Sequence, residues 1–215
     1  MPINFPEPNS SRTTATQINT TLTPANVNQI EAMADQFAEL GIVLWSIFFL
    51  VPVGRADQLP RLDAQQSELA FERLWKQAKV QPYMIKTTEA PHYRRYSIQH
   101  QVKNSKDLAD LDRPSPGRPF IPAGVNDGKG VMFVSHTGTV HPSGFLPIEC
   151  GSFPQDSVVD VYQNSTVFQS LRDGNLLEGK CGACEFRNVC GGSRARAYAV
   201  SGNLLAEEPD CIYEP

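Results

Sequence analysis

The sequence predicts an α/β chain in two parts: a parallel β/α unit, then a small irregular α+β unit built around cysteines. Three observations carry that expectation. From about Thr16 to residue 103, short β-branched or apolar runs alternate with runs of helical period, the pattern of strands laid parallel with helices between them. Residues 104–130, NSKDLADLDRPSPGRPFIPAGVNDGKG, are rich in Pro, Gly and Asp and read as a linker. All five cysteines fall at or after Cys150, three of them bunched in KCGACEFRNVC.

Residues 1–15, MPINFPEPNSSRTTA, are polar and proline-bearing, and they read as a disordered lead-in. TQINTTL then suits a short strand. Thr23 is a good N-cap with Pro24 at the first helical position. Val27, Ile30, Met33, Phe37 and Leu40 recur at near-helical spacing, and Gly41 stops the run. IVLWSIFFLVPV is too short to cross a bilayer, where about 20 residues are needed, and suits a strand buried on both faces of a parallel sheet. Asp63 opens the next helix with Gln66 as its capping-box partner. Phe71, Leu74, Trp75 and Ala78 form its inward stripe, Lys79 and Pro82 mark its end, and PYMIKTTE reads as a third strand.

In such sheets ligands bind beyond the carboxyl ends of the strands. Asn19 and Thr20 fall there after the first strand, and Pro52, Gly54 and Arg55 after the second. Thr88, Glu89, His92, Arg94 and Arg95 follow the third. Taken singly these are ordinary loop residues; as a set, three successive strands end in polar groups. An arginine at position 55 or 94 suits a bidentate grip on a carboxylate, against the plainer reading of a rim salt bridge. In the second unit, residues 131–215, GVMFVSHTGTVHPSGF reads as a hairpin turning at His136-Thr137-Gly138. His136 and His141 read as exposed rather than as ligands. Residues 156–174 are weakly helical, with Val159, Tyr162, Val167, Phe168 and Leu171 packing the hairpin. SRARAYAV reads either as a helix bringing Arg194 and Arg196 near an anionic centre or as a solvated basic turn.

The cysteine block carries the chemistry. Cys181, Cys184 and Cys190 stand in C-x2-C-x5-C spacing, and Cys211 follows in EPDCIYEP. A C-x-x-C pair turns both sulfurs toward one point, and Gly182, Gly191 and Gly192 allow close backbone approach with N–H donors to sulfur. Four thiolates enclose one metal centre, and Cys211 would pin the tail to it. Structural zinc is the main competitor, but zinc ribbons usually pair two C-x-x-C knuckles. The three-plus-one arrangement here favours a 4Fe–4S cluster. Disulfides fit poorly, since the count is odd and no export signal is visible.

GKCGACEFRNVCGGSRARAYA, preceded by VSHTGTVHPSGFLPIECG, resembles the SPASM-type C-terminal extension of radical S-adenosylmethionine (SAM) enzymes, nearest the haem-biosynthesis and peptide-modifying branches. The resemblance runs from about residue 16 onward. It implies that residues 16–103 are the C-terminal half of a partial β/α barrel, with NTTLTPAN, FFLVPVGRA and KTTEAPHYRR at its last three strands. It also implies that residues 131–215 are a SPASM- or twitch-like iron–sulfur domain. By the same resemblance Asn19, Thr20 and Arg55 lie near the SAM site, and Cys181, Cys184, Cys190 and Cys211 hold one auxiliary cluster beside it. Ser193 and Ser143 stand where such domains usually place cysteines of a second auxiliary cluster, so one cluster is expected, with Cys150 left over as a buried thiol or a substitute ligand.

The C-x3-C-x2-C motif that holds the catalytic cluster of radical SAM enzymes is absent from these 215 residues. The chain is therefore expected not to be catalytic alone. SAM use is expected only with an N-terminal half, encoded separately or lost through truncation or a late start, and the substrate is a peptide or a small molecule. A free-standing iron–sulfur or zinc-stabilised binding module is the alternative. Net charge is −4 with pI near 5.6, which gives no electrostatic case for nucleic acid or an anionic membrane. The reducing cytosol is the expected compartment.

Overall fold

The computed structural model describes residues 15–101 and 125–215. The expected lead-in, up to residue 14, lies outside the described residues, and so do positions 104–124 of the expected linker. Strands β1 (Gln17–Leu22), β2 (Leu44–Phe49) and β3 (Met84–Thr88) form a parallel sheet in the order β1-β2-β3. The apolar run is thus the central strand, as its composition requires. Register puts Ile18 beside Trp45 and Ile85, and Leu22 beside Phe49. These residues share the face that packs on α1 (Ile30–Glu39) and α2 (Ala64–Val80), where Ile30, Ala34, Phe71, Leu74 and Ala78 complete one core. Each large apolar side chain so buried stabilises the fold by about 1.5–3 kcal/mol.

The opposite face of the sheet is mainly polar, with Leu44 and Met84 beside Gln17 at one end. Asn19, Ser46 and Lys86 lie in one row and Thr21, Phe48 and Thr88 in the next. Parallel sheets are ordinarily covered on both faces by apolar layers, so this polar face is unusual. Among the described residues β1 pairs only with β2, and Gln17, Asn19 and Thr21 are exposed along it.

Two helix boundaries show why local chemistry matters. Asp63 caps α2 as expected: its carboxylate accepts from Gln66 N at 2.7 Å while Gln66 Oε1 accepts from Asp63 N at 3.1 Å. α1 starts later than Thr23–Pro24 implied. The Asn26 side chain folds back on Thr23 N and Thr21 O and sets a short 3-10 turn at Val27–Gln29 first. Leu40, placed by spacing on the inward stripe, is 62% exposed because the helix ends before it and Gly41 takes a left-handed φ of 64°.

A third helix, α3 (His92–Gln101), follows β3. Of the residues read as a polar loop after that strand, Thr88 ends β3 and Glu89 follows it, whereas His92, Arg94 and Arg95 form the first turns of a buried helix, with Tyr93 and Tyr96 also inside. In the second part, β4 (Phe133–Val134) and β5 (Thr139–His141) form the expected hairpin. Gly138 turns it at φ 92°, and a third strand, β6 (Gly151–Ser152), extends it. Helices α4 (Val158–Asn164) and α5 (Thr166–Arg172) pack Val161 and Phe168 on Val140 of that sheet. Val159 points outward instead. The short α6 (Gly179–Ala183) and α7 (Arg194–Ser201) complete the chain. Val51, just past β2, packs with Leu146, Leu171 and Ala195, so the sheet and the cysteine-bearing part share a core.

Candidate metal centre

One cavity is lined by Cys181, Cys184, Cys190 and Cys211 together with His92, Arg95, Arg187, Glu208 and Tyr213. The four cysteines come from the end of α6, from the turn after it and from the tail, and all are free thiols. The turn is shaped by glycine. Gly191 and Gly192 both take left-handed φ, 67° and 62°, and a Cβ on Gly192 would stand 2.7 Å from Glu208 Cβ and 3.5 Å from Cys181 Sγ.

Backbone N–H groups point at the sulfurs. Phe186 N donates to Cys184 Sγ at 3.4 Å, Gly192 N to Cys190 Sγ at 3.4 Å and Glu208 N to Cys181 Sγ at 3.3 Å. Only one of these donors is a glycine, so the glycines act mainly by permitting the turn. Burial raises all four thiols, Cys190 to about 12. Such groups give up their protons on binding a metal. Among the described residues no three His, Cys, Asp or Glu side chains gather closely enough to hold a single ion.

Behind the cysteines lies a buried ionic network. Arg196 on α7 is 1% exposed and holds Glu208 through both carboxylate oxygens, at 3.0 and 3.1 Å, and Asp210 at 3.2 Å. The same guanidinium donates to the carbonyls of Phe49, Leu50 and Glu89. One side chain thus ties the ends of β2 and β3 to the segment that carries Cys211. Burial pushes Glu208 upward, but Arg196 overrides it and holds the carboxyl down to about 2. His92 stands 4.0 Å from Glu208, yet burial pushes its imidazole down to about 3, so it is neutral and edge-packed on Phe71. SRARAYAV is therefore a buried helix, not a solvated turn. Arg194 is likewise 1% exposed and donates to the carbonyls of Leu204 and Ala206.

A second, larger cavity of about 420 Å3 lies beside the end of β3, lined among others by Lys86, Glu89, Tyr93, Asp127, Ser143 and Phe145. Glu89 takes a left-handed φ of 58°, an uncommon backbone for glutamate. Its carboxyl accepts from Ser193 Oγ at 2.7 Å, and burial beside Asp127 pushes it up to about 8. Ser193 also caps α7, and its N–H donates to Glu208 at 2.6 Å. The two serines standing at expected cysteine positions, Ser143 and Ser193, thus meet this second cavity or its Glu89, not the four-cysteine one.

The remaining candidates are dispersed. Asn19 sits on the open sheet face and accepts from Gln17. Thr20 faces the helix-packed side, where its hydroxyl accepts from Trp45 Nε1 at 2.9 Å. Arg55 is exposed in the turn Gly54–Ala56. None of the three lines either cavity. Arg94 donates to the carbonyls of Val189 and Val125 and so clasps the second part of the chain. His136 is exposed, and His141 Nδ1 contacts Ile148 O at 3.1 Å. Cys150 lies apart, packed with Val140, Val161 and Phe168. The cysteine spacing marked the thiols. Arg95 stood out only as a loop residue and Arg196 only in one of two readings of SRARAYAV, and Glu208 escaped notice because a buried charge at a surface-like sequence position leaves no periodic trace.

No family model matches the chain. It is similar to the AdoMet-dependent heme synthase of Methanosarcina barkeri, with 38% identity over 199 residues, covering 93% of this chain and 56% of that protein. The protein of the same name from Oleidesulfovibrio alaskensis is 37% identical over 201 residues, 93% of this chain and 51% of the relative. The pre-heme d1 synthase of Dinoroseobacter shibae is 33% identical over 92 residues, 41% of this chain and 23% of the relative. The chain spans about half the length of the heme synthases it matches. Among the described residues no helix is long and apolar enough to cross a membrane.

Proposed function

The chain belongs to the radical SAM/SPASM-type family of these relatives, and on that premise we propose that it carries one auxiliary 4Fe–4S cluster on Cys181, Cys184, Cys190 and Cys211. The observation that carries this reading is that four cysteines from two separate segments line one cavity. Three bunched cysteines and one remote cysteine suit a cluster, which takes a thiolate at each iron corner, better than the paired knuckles of a zinc ribbon. The backbone N–H donors to sulfur and the buried Arg95 beside them suit an anionic centre.

When bound, the cluster supplies one-electron transfer; with all four irons held by thiolate, no corner is open to a substrate. The protein's part is to bind, shield and poise it. The glycine turn closes round the sulfurs, the Arg196–Glu208 pair fixes the tail, and Arg95 offers positive charge. In an enzyme assembled with a further barrel half, which would complete a SAM site, these four cysteines would hold a cluster that supplies electron transfer to the radical reaction. That half would extend the sheet at β1, whose outer edge beside Asn19 pairs with no strand among the described residues. The larger cavity by Glu89 then holds substrate, and the names of the relatives that match most of the chain favour a small molecule of the haem-precursor class over a peptide.

The test is a pair of variants of the full chain, reconstituted anaerobically with iron and sulfide. Cys184→Ser loses most of the bound iron and the visible charge-transfer absorption, whereas Cys150→Ser keeps both. Equal loss from the two variants would overturn the ligand assignment.

A further inference from the structure

Arg95 is 3% exposed and lies among the cysteines, lining their cavity. Its two terminal nitrogens are engaged: Nη1 and Nη2 donate to the two carboxylate oxygens of Glu68 on α2, and Nη1 also donates to Gln99 at 3.0 Å. The guanidinium stacks over the Tyr213 ring at 5.3 Å. The third donor, Nε–H, is buried with no partner. A buried donor left without an acceptor is costly; the cavity offers it four cysteine sulfurs, while Glu208, the one carboxylate lining it, is already held by Arg196.

From this geometry we infer that Arg95 is a positioning and tuning residue for the centre: its Nε–H donates to a sulfur of the cluster, and its charge raises the reduction potential. The inference rests on the four-cysteine cluster reading. A 4Fe–4S centre on four thiolates is a net anion, and its one-electron reduced form carries one more negative charge. A fixed cation lining the same cavity stabilises the reduced form more than the oxidised one, and hydrogen bonds to sulfur act in the same direction. Glu68 offsets part of the charge, but it lies on the far side of the guanidinium fork and is 26% exposed, so solvent screens it more than it screens Arg95. A purely structural Arg95 would only tie α3 to α2 and leave the potential alone.

The experiment is an EPR-monitored redox titration of the full chain after anaerobic reconstitution, with iron and sulfide assayed on each sample. Arg95→Gln is expected to keep wild-type iron and shift the midpoint to a more negative potential. Arg95→Lys, which keeps the charge but loses the Nε–H, is expected to shift it less in the same direction. Full iron with a wild-type midpoint in Arg95→Gln would overturn the inference, as would loss of iron from both variants. Should only Arg95→Gln fail to hold iron, the lysine variant decides, and a wild-type midpoint there overturns it. A wild-type chain that takes up no iron sinks the cluster reading itself, a result distinct from an unmoved potential.

Discussion

At the scale of single residues, Arg196 has more depending on it than any cysteine. One buried guanidinium serves two carboxylates and three backbone carbonyls. Removing one member of such a set leaves the others charged and unpaired in a dry interior, which costs about 3–5 kcal/mol. Arg196→Met should therefore lower unfolding stability by about that much in a urea titration; a loss below ~1 kcal/mol would show that water reaches Glu208. Glu89 gives the opposite sign. Its folded carboxyl is raised from 4.5 to about 8 by burial and by Asp127, so between those values the unfolded chain releases a proton that the folded chain keeps. Stability contributed by the protonated form is complete below pH 4.5 and falls as pH rises toward 8. Glu89→Gln should flatten that fall, read as thermal midpoints across the window. An unchanged slope would mean Glu89 is ionised in the fold.

At the scale of elements, the capping box of α2 and the glycine turn before α7 set the geometry. Asp63→Ala removes the acceptor for Gln66 N and should cost about 1 kcal/mol, with no effect on metal content. Gly192→Ala forces a β-carbon into a left-handed position, a strain of about 1–2 kcal/mol, and against Glu208. It should lower both stability and iron uptake, measured on the same reconstituted sample. The elements legible in the sequence were those with a period or a cap: α2, the hairpin, the central strand β2 and the cysteine turn. α3 was not, because HYRRYSIQHQ is polar by composition and is buried through ion pairs and aromatic stacking rather than through an apolar stripe. A different reason hid the second cavity: its wall comes from residues nearly forty positions apart, Glu89 and Asp127. The N-terminus of α1 was misplaced by the Asn26 side chain, a local competitor that helix-start rules do not weigh.

At the scale of the molecule, a three-stranded parallel sheet with one helix-covered face and one polar face is joined through Arg196 and Arg94 to a cysteine-bearing lobe. That union explains why a tail segment as far along as Cys211 sits near the ends of the strands. It also places the proposed electron-transfer centre against α3 and the second cavity against β3, with His92 and Glu89 close in sequence between them. Whether the four sulfurs take up a cluster is tested most directly by the metal and acid-labile sulfide content of the anaerobically reconstituted chain, with an EPR spectrum of the reduced sample. About four irons and four sulfides per chain, with a fast-relaxing signal on reduction, is the predicted result. A colourless protein with one zinc and no sulfide would contradict it.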